Sequence, residues 1–182
     1  GHVLCLRQVY NKSRTFLEKL TAKLGGSCTV LDDATWAELE PQLDAALRPE
    51  TTLLFAEAVT NPLLRVQDIP ALVAWTRRAR ETAPQLQLVI DDTISTPWGH
   101  NLPLLAQGVD VVVGSGTKAL GGSDTDLWGY IATNQVETAN AIMDLQAVRG
   151  GGLDGGRARS ILAGLASADA KHLQRCQSAI AI

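Results

Sequence analysis

Polar residues that could take part in chemistry directly follow three apolar segments of this sequence. The segments are TTLLFA, LQLVI and VDVVVG. In open α/β sheets ligands bind beyond the carboxyl ends of the strands, so polar groups at those positions are more informative than the same groups on helices. The residues in question are Glu57 and Asn61 after the first segment, Asp91 and Thr93 after the second, and Ser115, Thr117 and Lys118 after the third.

The types of these side chains favour one kind of ligand. A carboxylate at one strand end, Asp91, and an amine at another, Lys118, suit a cofactor that needs an anion at one end and an amine at the other. Hydroxyls and backbone amides in a glycine-containing turn, at Ser115 and Thr117, suit a phosphate. Pyridoxal phosphate combines these needs, because its aldehyde forms a Schiff base with lysine and its ring nitrogen pairs with a carboxylate. Taken alone, Lys118 is better interpreted as a loop lysine that reaches into solvent, and it is the presence of Asp91 that favours the cofactor.

The elements that must position these residues alternate between apolar strands and helical segments. The pattern predicts strands over residues 28–32, 51–57, 86–92, 109–115 and 128–133, and helices over 34–47, 69–83, 135–148 and from about 157 to the end. Strands that are apolar throughout are buried on both faces. The sequence therefore predicts an α/β fold of three layers, with a mostly parallel sheet between helices on both faces.

Composition excludes several other classes of protein. The 182 residues include 16 Lys and Arg against 19 Asp and Glu, so no basic excess favours nucleic acid or an anionic membrane as a partner. No apolar run approaches the roughly 20 residues that span a bilayer, and the start does not resemble a signal peptide. We therefore expect a cytoplasmic protein. The three Cys and three His are scattered without metal-ligand spacing, so we expect no metal site.

One alternative uses the same segment differently. GSGTKA, residues 114–119, matches the dinucleotide fingerprint G-x-G-x-x-A after a strand, and Glu137 follows at about the distance of a ribose-binding acid. The glycines at 121 and 122 disfavour the helix that this fingerprint requires. A nucleotide-binding, Rossmann-like domain nevertheless stays an alternative at this point.

Three ordered blocks carry a specific resemblance. LLFAEAVTNPLLRVQDIPAL, LVIDDTISTPWG and DVVVGSGTKALGG resemble the Cys/Met-metabolism enzymes of fold type I that use pyridoxal phosphate, among them cystathionine γ-synthase, cystathionine lyases and methionine γ-lyase. The resemblance implies an enzyme that carries out elimination or replacement at the β or γ carbon of sulfur-containing or activated homoserine amino acids. It also implies a homodimer or homotetramer.

The resemblance assigns roles residue by residue. Lys118 matches the Schiff-base lysine, which then moves protons, and Asp91 matches the carboxylate paired with the ring nitrogen. The other matches are Ser115 and Thr117 for the phosphate, Asn61 near the phenolic oxygen with Glu57 beside it, Thr93 beneath the ring, and Tyr10 stacked on the ring and assisting catalysis.

The sequence also departs from the family pattern. Asp92 stands where the family usually has asparagine, and Gly122-Ser123-Asp124 lacks the histidine that the family carries there. A catalytically altered member of the family therefore stays an alternative. The resemblance implies that residues 1–182 form the large, cofactor-binding domain, without the family's N-terminal segment and small C-terminal domain.

Overall fold

The computed structural model describes residues 1–32, 35–118, 120 and 126–181, and within these ranges the chain forms one six-stranded sheet. The strands are β1 His2–Leu6, β2 Ser27–Leu31, β3 Thr51–Glu57, β4 Gln87–Asp91, β5 Val111–Ser115 and β6 Gly129–Thr133. Their order in the sheet is β2-β1-β3-β4-β5-β6. All neighbours pair in parallel except β6, which runs antiparallel to β5.

Helices connect and cover these strands. Those in the described ranges are α1 Asn11–Lys23, α2 Trp36–Ala46, α3 Ile69–Ala79, α4 Leu104–Gln107, α5 Val136–Arg149, α6 Gly155–Leu165 and α7 Ala168–Ile180. The connection through α1 runs from β1 to β2, opposite in direction to the connections through α2, α3 and α4. Because parallel crossovers are right-handed, α1 lies on one face of the sheet and the other three lie on the opposite face. The predicted mostly parallel sheet with helices on both faces is confirmed.

The core lies between the sheet and the α2–α4 layer. Leu54, Leu88 and Ile90 are fully buried there, and Trp75 of α3 packs with them. The Trp75 indole N–H donates to Asp44 Oδ1 of α2 at 2.7 Å, so the one polar atom of this large side chain is satisfied. This packed layer fixes the strands whose carboxyl ends carry the predicted site.

Five strands agree with the sequence prediction to within two residues, but β1, α1 and the short α4 were not predicted. His2 opens β1 with a polar side chain and shortens the visible apolar run, yet it is fully buried. Its ring nitrogens lie 2.9 Å from the hydroxyls of Thr51 and Thr29 on the two neighbouring strands. Burial is possible because both nitrogens have partners, which lie 49 and 27 residues away in sequence.

The prediction of one terminal helix from about residue 157 is wrong, because the segment forms two helices, α6 and α7. Ser167 leaves the helical conformation, with φ −120° and ψ 10°. Its hydroxyl donates to the carbonyl oxygen of Gly164 at 3.3 Å. A serine that bonds to the nearby backbone in this way competes with helix continuation.

The turn after β5 bears on the dinucleotide alternative. Gly116, Thr117 and Lys118 form a turn, where the fingerprint places the opening of a helix, and the next described strand is the antiparallel β6. The described turn residues therefore do not open the helix that the nucleotide-binding interpretation requires. Ala119 of that pattern and Gly122–Asp124 of the family departure lie outside the described residues.

Two further features are absent from the part of the chain that the structure describes. No helix among the described residues has the length and apolar character needed to cross a membrane. Over the same residues, no group of three or more His, Cys, Asp or Glu side chains could hold a metal ion.

Candidate active site

The carboxyl ends of β1, β3, β4 and β5 lie side by side, because these parallel strands are consecutive in the sheet. Glu57 pairs with Asp91 across β3 and β4, and Asp91 pairs with Val113 across β4 and β5. After β1 the chain crosses to one side of the sheet, and after β3 it crosses to the other side. Open α/β sheets form a ligand crevice between two such strands. We call this edge the carboxyl edge. The predicted site residues either end these four strands or follow them.

Asp91 ends β4 in the middle of the carboxyl edge. Its Oδ1 accepts a hydrogen bond from the Thr93 backbone N–H at 2.9 Å. Burial raises the pKa of Asp91 above its ordinary value of 3.8, the bonds from Thr93 lower it, and the negative charge of Asp92 raises it further. Because the bonds from Thr93 offset only part of the effect of burial, an ionised Asp91 is costly until a positive group also pairs with it.

Thr93 connects the ends of two strands. Its backbone N–H bonds to Asp91, and its Oγ1 accepts the backbone N–H of Ser115 at 2.8 Å. Ser115 is the last residue of β5, so Thr93 fixes the end of β5 relative to Asp91. The position of Thr93 beneath a cofactor ring stays a prediction. What the structure adds is that Thr93 links Asp91 to Ser115.

Tyr10 and Glu57 meet where β1 and β3 end. The Tyr10 backbone N–H donates to Glu57 Oε1 at 2.7 Å, and Glu57 is only 5% exposed. Tyr10 is the residue before α1, and its side chain is half exposed at the rim of the carboxyl edge. The structure thus brings these two residues together, with the Glu57 carboxylate holding the backbone that presents the tyrosine.

Asn61 lies in the exposed turn that follows β3. Its backbone N–H donates to the carbonyl oxygen of Gln8 at 3.3 Å, in the loop that leads to Tyr10. The adjacent Thr60 hydroxyl lies 3.3 Å from Gln8 Oε1. Asn61 is therefore at the same edge as the other predicted residues, at its β1 side.

Thr117 and Lys118 lie in the turn after β5. The Thr117 hydroxyl donates to the backbone oxygen of Trp128 at 3.2 Å and accepts the Trp128 N–H at 3.1 Å. The hydroxyl proton is thereby used, so Thr117 could donate to a phosphate only after giving up the bond to Trp128. Lys118 is exposed at this turn, next to the end of β5.

Two aromatic side chains that sequence reasoning missed shape this turn. A Cβ on Gly116 would overlap the Trp128 indole, and one on Gly114 would overlap the Tyr130 phenol. Within the described chain, Trp128 Nε1 and the Tyr130 hydroxyl are buried without a hydrogen-bond partner. Burial raises the pKa of Tyr130 above its ordinary value, and the charges of Asp92 and Asp91 raise it further. The alternation of glycine in GSG was the available signal, but it says nothing about which side chains fill the space.

Open space reaches Asp91 from two directions. A cavity of about 1050 Å³ extends from Asp91 and Ser115 across β6 to Met143 of α5. A second of about 460 Å³ lies between Asp91 and the first turns of α1, at Lys12 and Phe16. Volumes of this size accommodate a cofactor-sized ligand.

Comparison with known proteins agrees with this arrangement. The family described as Cys/Met metabolism PLP-dependent enzyme matches residues 1–182. The chain belongs to this family. Its cofactor is therefore pyridoxal phosphate, as the strand-end residues and the resemblance predicted.

Individual relatives support the same assignment. Cystathionine gamma-synthase 1, chloroplastic, of Arabidopsis thaliana is 36% identical over 91% of this chain and 27% of its own length. Cystathionine gamma-lyase of Bacillus subtilis is 30% identical over 82% of this chain and 37% of its own. The crystal structure of cystathionine gamma-lyase from Lactobacillus plantarum complexed with L-serine superposes with a TM-score of 0.78 at 25% identity, over 92% of this chain and 41% of its own. The chain thus spans between about a quarter and two fifths of these relatives.

Proposed function

We propose that this chain forms the cofactor-binding part of a pyridoxal-phosphate enzyme that acts on sulfur-containing or activated homoserine amino acids. The reaction class is elimination or replacement at the β or γ carbon. One observation carries the proposal: Thr93 joins Asp91 to Ser115 at the carboxyl edge, beside the turn that holds Lys118. Membership in the Cys/Met metabolism family supports it.

The chemistry of the donor set fits pyridoxal phosphate. The half-buried Asp91 carboxylate suits a protonated ring nitrogen, which would lower the cost of its ionised form. The Ser115 hydroxyl and the amides of the following turn suit a phosphate, and Lys118 supplies the amine. Thr93 would lie beneath the ring, and Asn61 would approach the phenolic oxygen. Because its hydroxyl bonds to Trp128, Thr117 is the one predicted phosphate contact that must rearrange.

Asp91, Lys118 and Tyr10 each have a separate role in the proposed reaction. When bound, the cofactor supplies an electron sink for negative charge at the substrate α carbon. Asp91, ionised, would hold the proton on the ring nitrogen. The Lys118 Nζ would hold the cofactor and would move protons among the α, β and γ carbons of the substrate as a general acid and base. Tyr10 would stack over the ring and assist proton transfer at the leaving group, and Glu57 holds the Tyr10 backbone by a hydrogen bond.

The test uses the intact protein that contains this chain. Apoprotein titrated with pyridoxal phosphate should develop a visible absorbance band, and a screen of cystathionine, cysteine, methionine and acylated homoserines should reveal turnover. Lys118→Ala should abolish both, whereas Lys23→Ala, at the far end of α1, is a matched exposed lysine that should leave both unchanged. A protein that binds the cofactor but turns over no amino acid would indicate a catalytically altered member and would overturn the proposed activity.

For assembly and location we propose a homodimer or homotetramer in the cytoplasm. Exposed apolar side chains on α5, among them Met143 and Val148, support burial of this helix in the intact assembly. Sedimentation of the intact protein tests this, and an active monomer would contradict it. A fluorescent fusion tests the location, and accumulation in an organelle would contradict it.

A further inference from the structure

Asp92, the residue after Asp91, organises a loop by accepting two hydrogen bonds on one oxygen. Its Oδ1 accepts from the Ser95 hydroxyl and from His100 Nε2, the latter at 2.8 Å. The side chains of Asp92 and His100 are 3% and 13% exposed, so both bonds are shielded from water. We call Asp92, Ser95 and His100 the Asp92 cluster.

Backbone hydrogen bonds also close this loop. The Thr96 N–H donates to the Asp92 carbonyl oxygen at 2.8 Å, and the Gly99 N–H donates to the Thr96 carbonyl oxygen at 3.0 Å. A Cβ at Gly99 would overlap the Ser95 backbone, so the chain can fold back this tightly only with glycine there. The loop therefore leaves β4 and returns to its own start at His100, eight residues later.

The cluster is continuous with the carboxyl edge. The Asp92 backbone N–H donates to the Val113 carbonyl oxygen at 2.8 Å, which ties the start of the loop to β5. Thr93 is the next residue and makes the two bonds that join Asp91 to Ser115. Thr93 is thus held in two ways. Its own bonds join it to Asp91 and Ser115, and the Asp92 side chain fixes the loop that follows it.

We propose that the Asp92 cluster is a positioning device for cofactor binding, in which His100 and Ser95 hold Thr93 between Asp91 and Ser115. This inference rests on the proposed function for its ligand. The cluster acts through hydrogen bonds to Oδ1. An asparagine has an acceptor oxygen at the same place, so Asp92→Asn should preserve the device although it removes the charge. The same reasoning explains how an aspartate occupies a position where the family usually has asparagine.

Amide hydrogen exchange of the intact apoprotein tests the positioning without any ligand. In His100→Ala, the peptide containing the Ser115 N–H should exchange about tenfold faster, because a lost bond to a charged group loosens the loop. His100→Gln offers an amide N–H near the position of Nε2 and should stay within about twofold of wild type. Asn101→Ala, at an exposed position in the same loop, is the matched control and should also stay unchanged. Unchanged exchange at Ser115 in His100→Ala would overturn the proposal.

Cofactor titration of the same proteins supplies the second readout. His100→Ala should weaken pyridoxal phosphate binding about tenfold, with Asp92→Asn and His100→Gln near wild type. Equal weakening in Asp92→Asn and His100→Ala would show that the charge matters and would overturn the hydrogen-bond account. Failure of the wild-type protein to bind would instead overturn the proposed function, while the exchange result would still decide the positioning. If His100→Ala does not fold, Ser95→Ala removes the other bond to Oδ1 and carries the same expectations.

Discussion

The Ser115 backbone N–H donates to the Thr93 hydroxyl at 2.8 Å, and this bond joins the end of β5 to the first residues after β4. Thr93→Val keeps the shape of the side chain but leaves this partly buried N–H without its acceptor. We expect a loss of about 1–3 kcal/mol in the free energy of unfolding of the apoprotein. Thr93→Ser retains the hydroxyl and is the control. Urea unfolding measures both, and equal stability of the two variants would contradict the role assigned to this bond.

The raised pKa of Asp91 has a consequence for stability. Because the folded state holds this proton more tightly than the unfolded state, stability should fall as pH rises from about 3.8 through the folded pKa and then level off. Asp91→Asn cannot ionise and should lack this loss, so its apoprotein should be more stable than wild type at neutral pH. Its turnover should be largely lost. Urea unfolding of apoprotein between pH 4 and 8 measures the difference, with exposed Asp169→Asn as the control.

Equal pH profiles for wild type and Asp91→Asn would contradict the account of Asp91. The same experiment with pyridoxal phosphate present has the opposite expectation. A cationic ring nitrogen favours the ionised carboxylate, so the cofactor should stabilise wild type more than Asp91→Asn.

His2 should make the protein sensitive to mild acid. Burial lowers its pKa below the ordinary 6.5, the charge of Arg48 lowers it further, and Glu50 opposes the shift. The unfolded state therefore binds a proton before the folded state does. Stability should fall as pH decreases below 6.5 and level off below the folded pKa. His2→Gln can still bond to the Thr29 and Thr51 hydroxyls but does not titrate, so its unfolding curve should be flatter between pH 7 and 5. A wild-type slope identical to that of His2→Gln would contradict this.

Gly116 should not tolerate a methyl group. A Cβ there overlaps the Trp128 indole, which is a rigid and partly buried ring, so Gly116→Ala should cost about 1–3 kcal/mol in unfolding free energy. The tryptophan fluorescence should change as the indole moves. Gly155→Ala is the control, because open space surrounds that Cβ at the start of α6, and its effect should stay within about 0.5 kcal/mol. Equal unfolding midpoints for the two variants would contradict the packing described at Trp128.

The sequence was sufficient to predict three of the four strands of the carboxyl edge, β3, β4 and β5, together with the polar residues at their ends. Asp91 and Ser115 were predictable because polar residues directly after an apolar run mark a strand end, and parallel pairing brings strand ends together. Position along the strand also distinguishes Asp91, at the carboxyl end of β4, from a second shielded carboxylate, Asp110. Asp110 lies at the amino end of β5, where it accepts from Arg80 and from the Leu88 N–H and serves the fold.

Contacts between distant residues were not predictable in the same way. The bond of His100 to Asp92 depends on a loop that reverses, and no spacing in the sequence indicates it. The glycines of GSG suggested a phosphate turn, but Gly114 leaves room for Tyr130 of β6, and Gly116 leaves room for Trp128, which lies just before β6. Such packing is decided by which side chains meet across β5 and β6, and a single sequence does not contain that information.

The central claim is that Lys118 is the residue to which the cofactor attaches. Intact protein loaded with pyridoxal phosphate, reduced with borohydride and digested should yield a peptide that contains Lys118 and carries the mass of the reduced cofactor. Lys118→Ala should yield no such adduct, whereas Lys23→Ala should yield it at the wild-type level. An adduct on another lysine of the wild-type protein, or near-normal turnover by Lys118→Ala, would contradict the assignment and the function built on it.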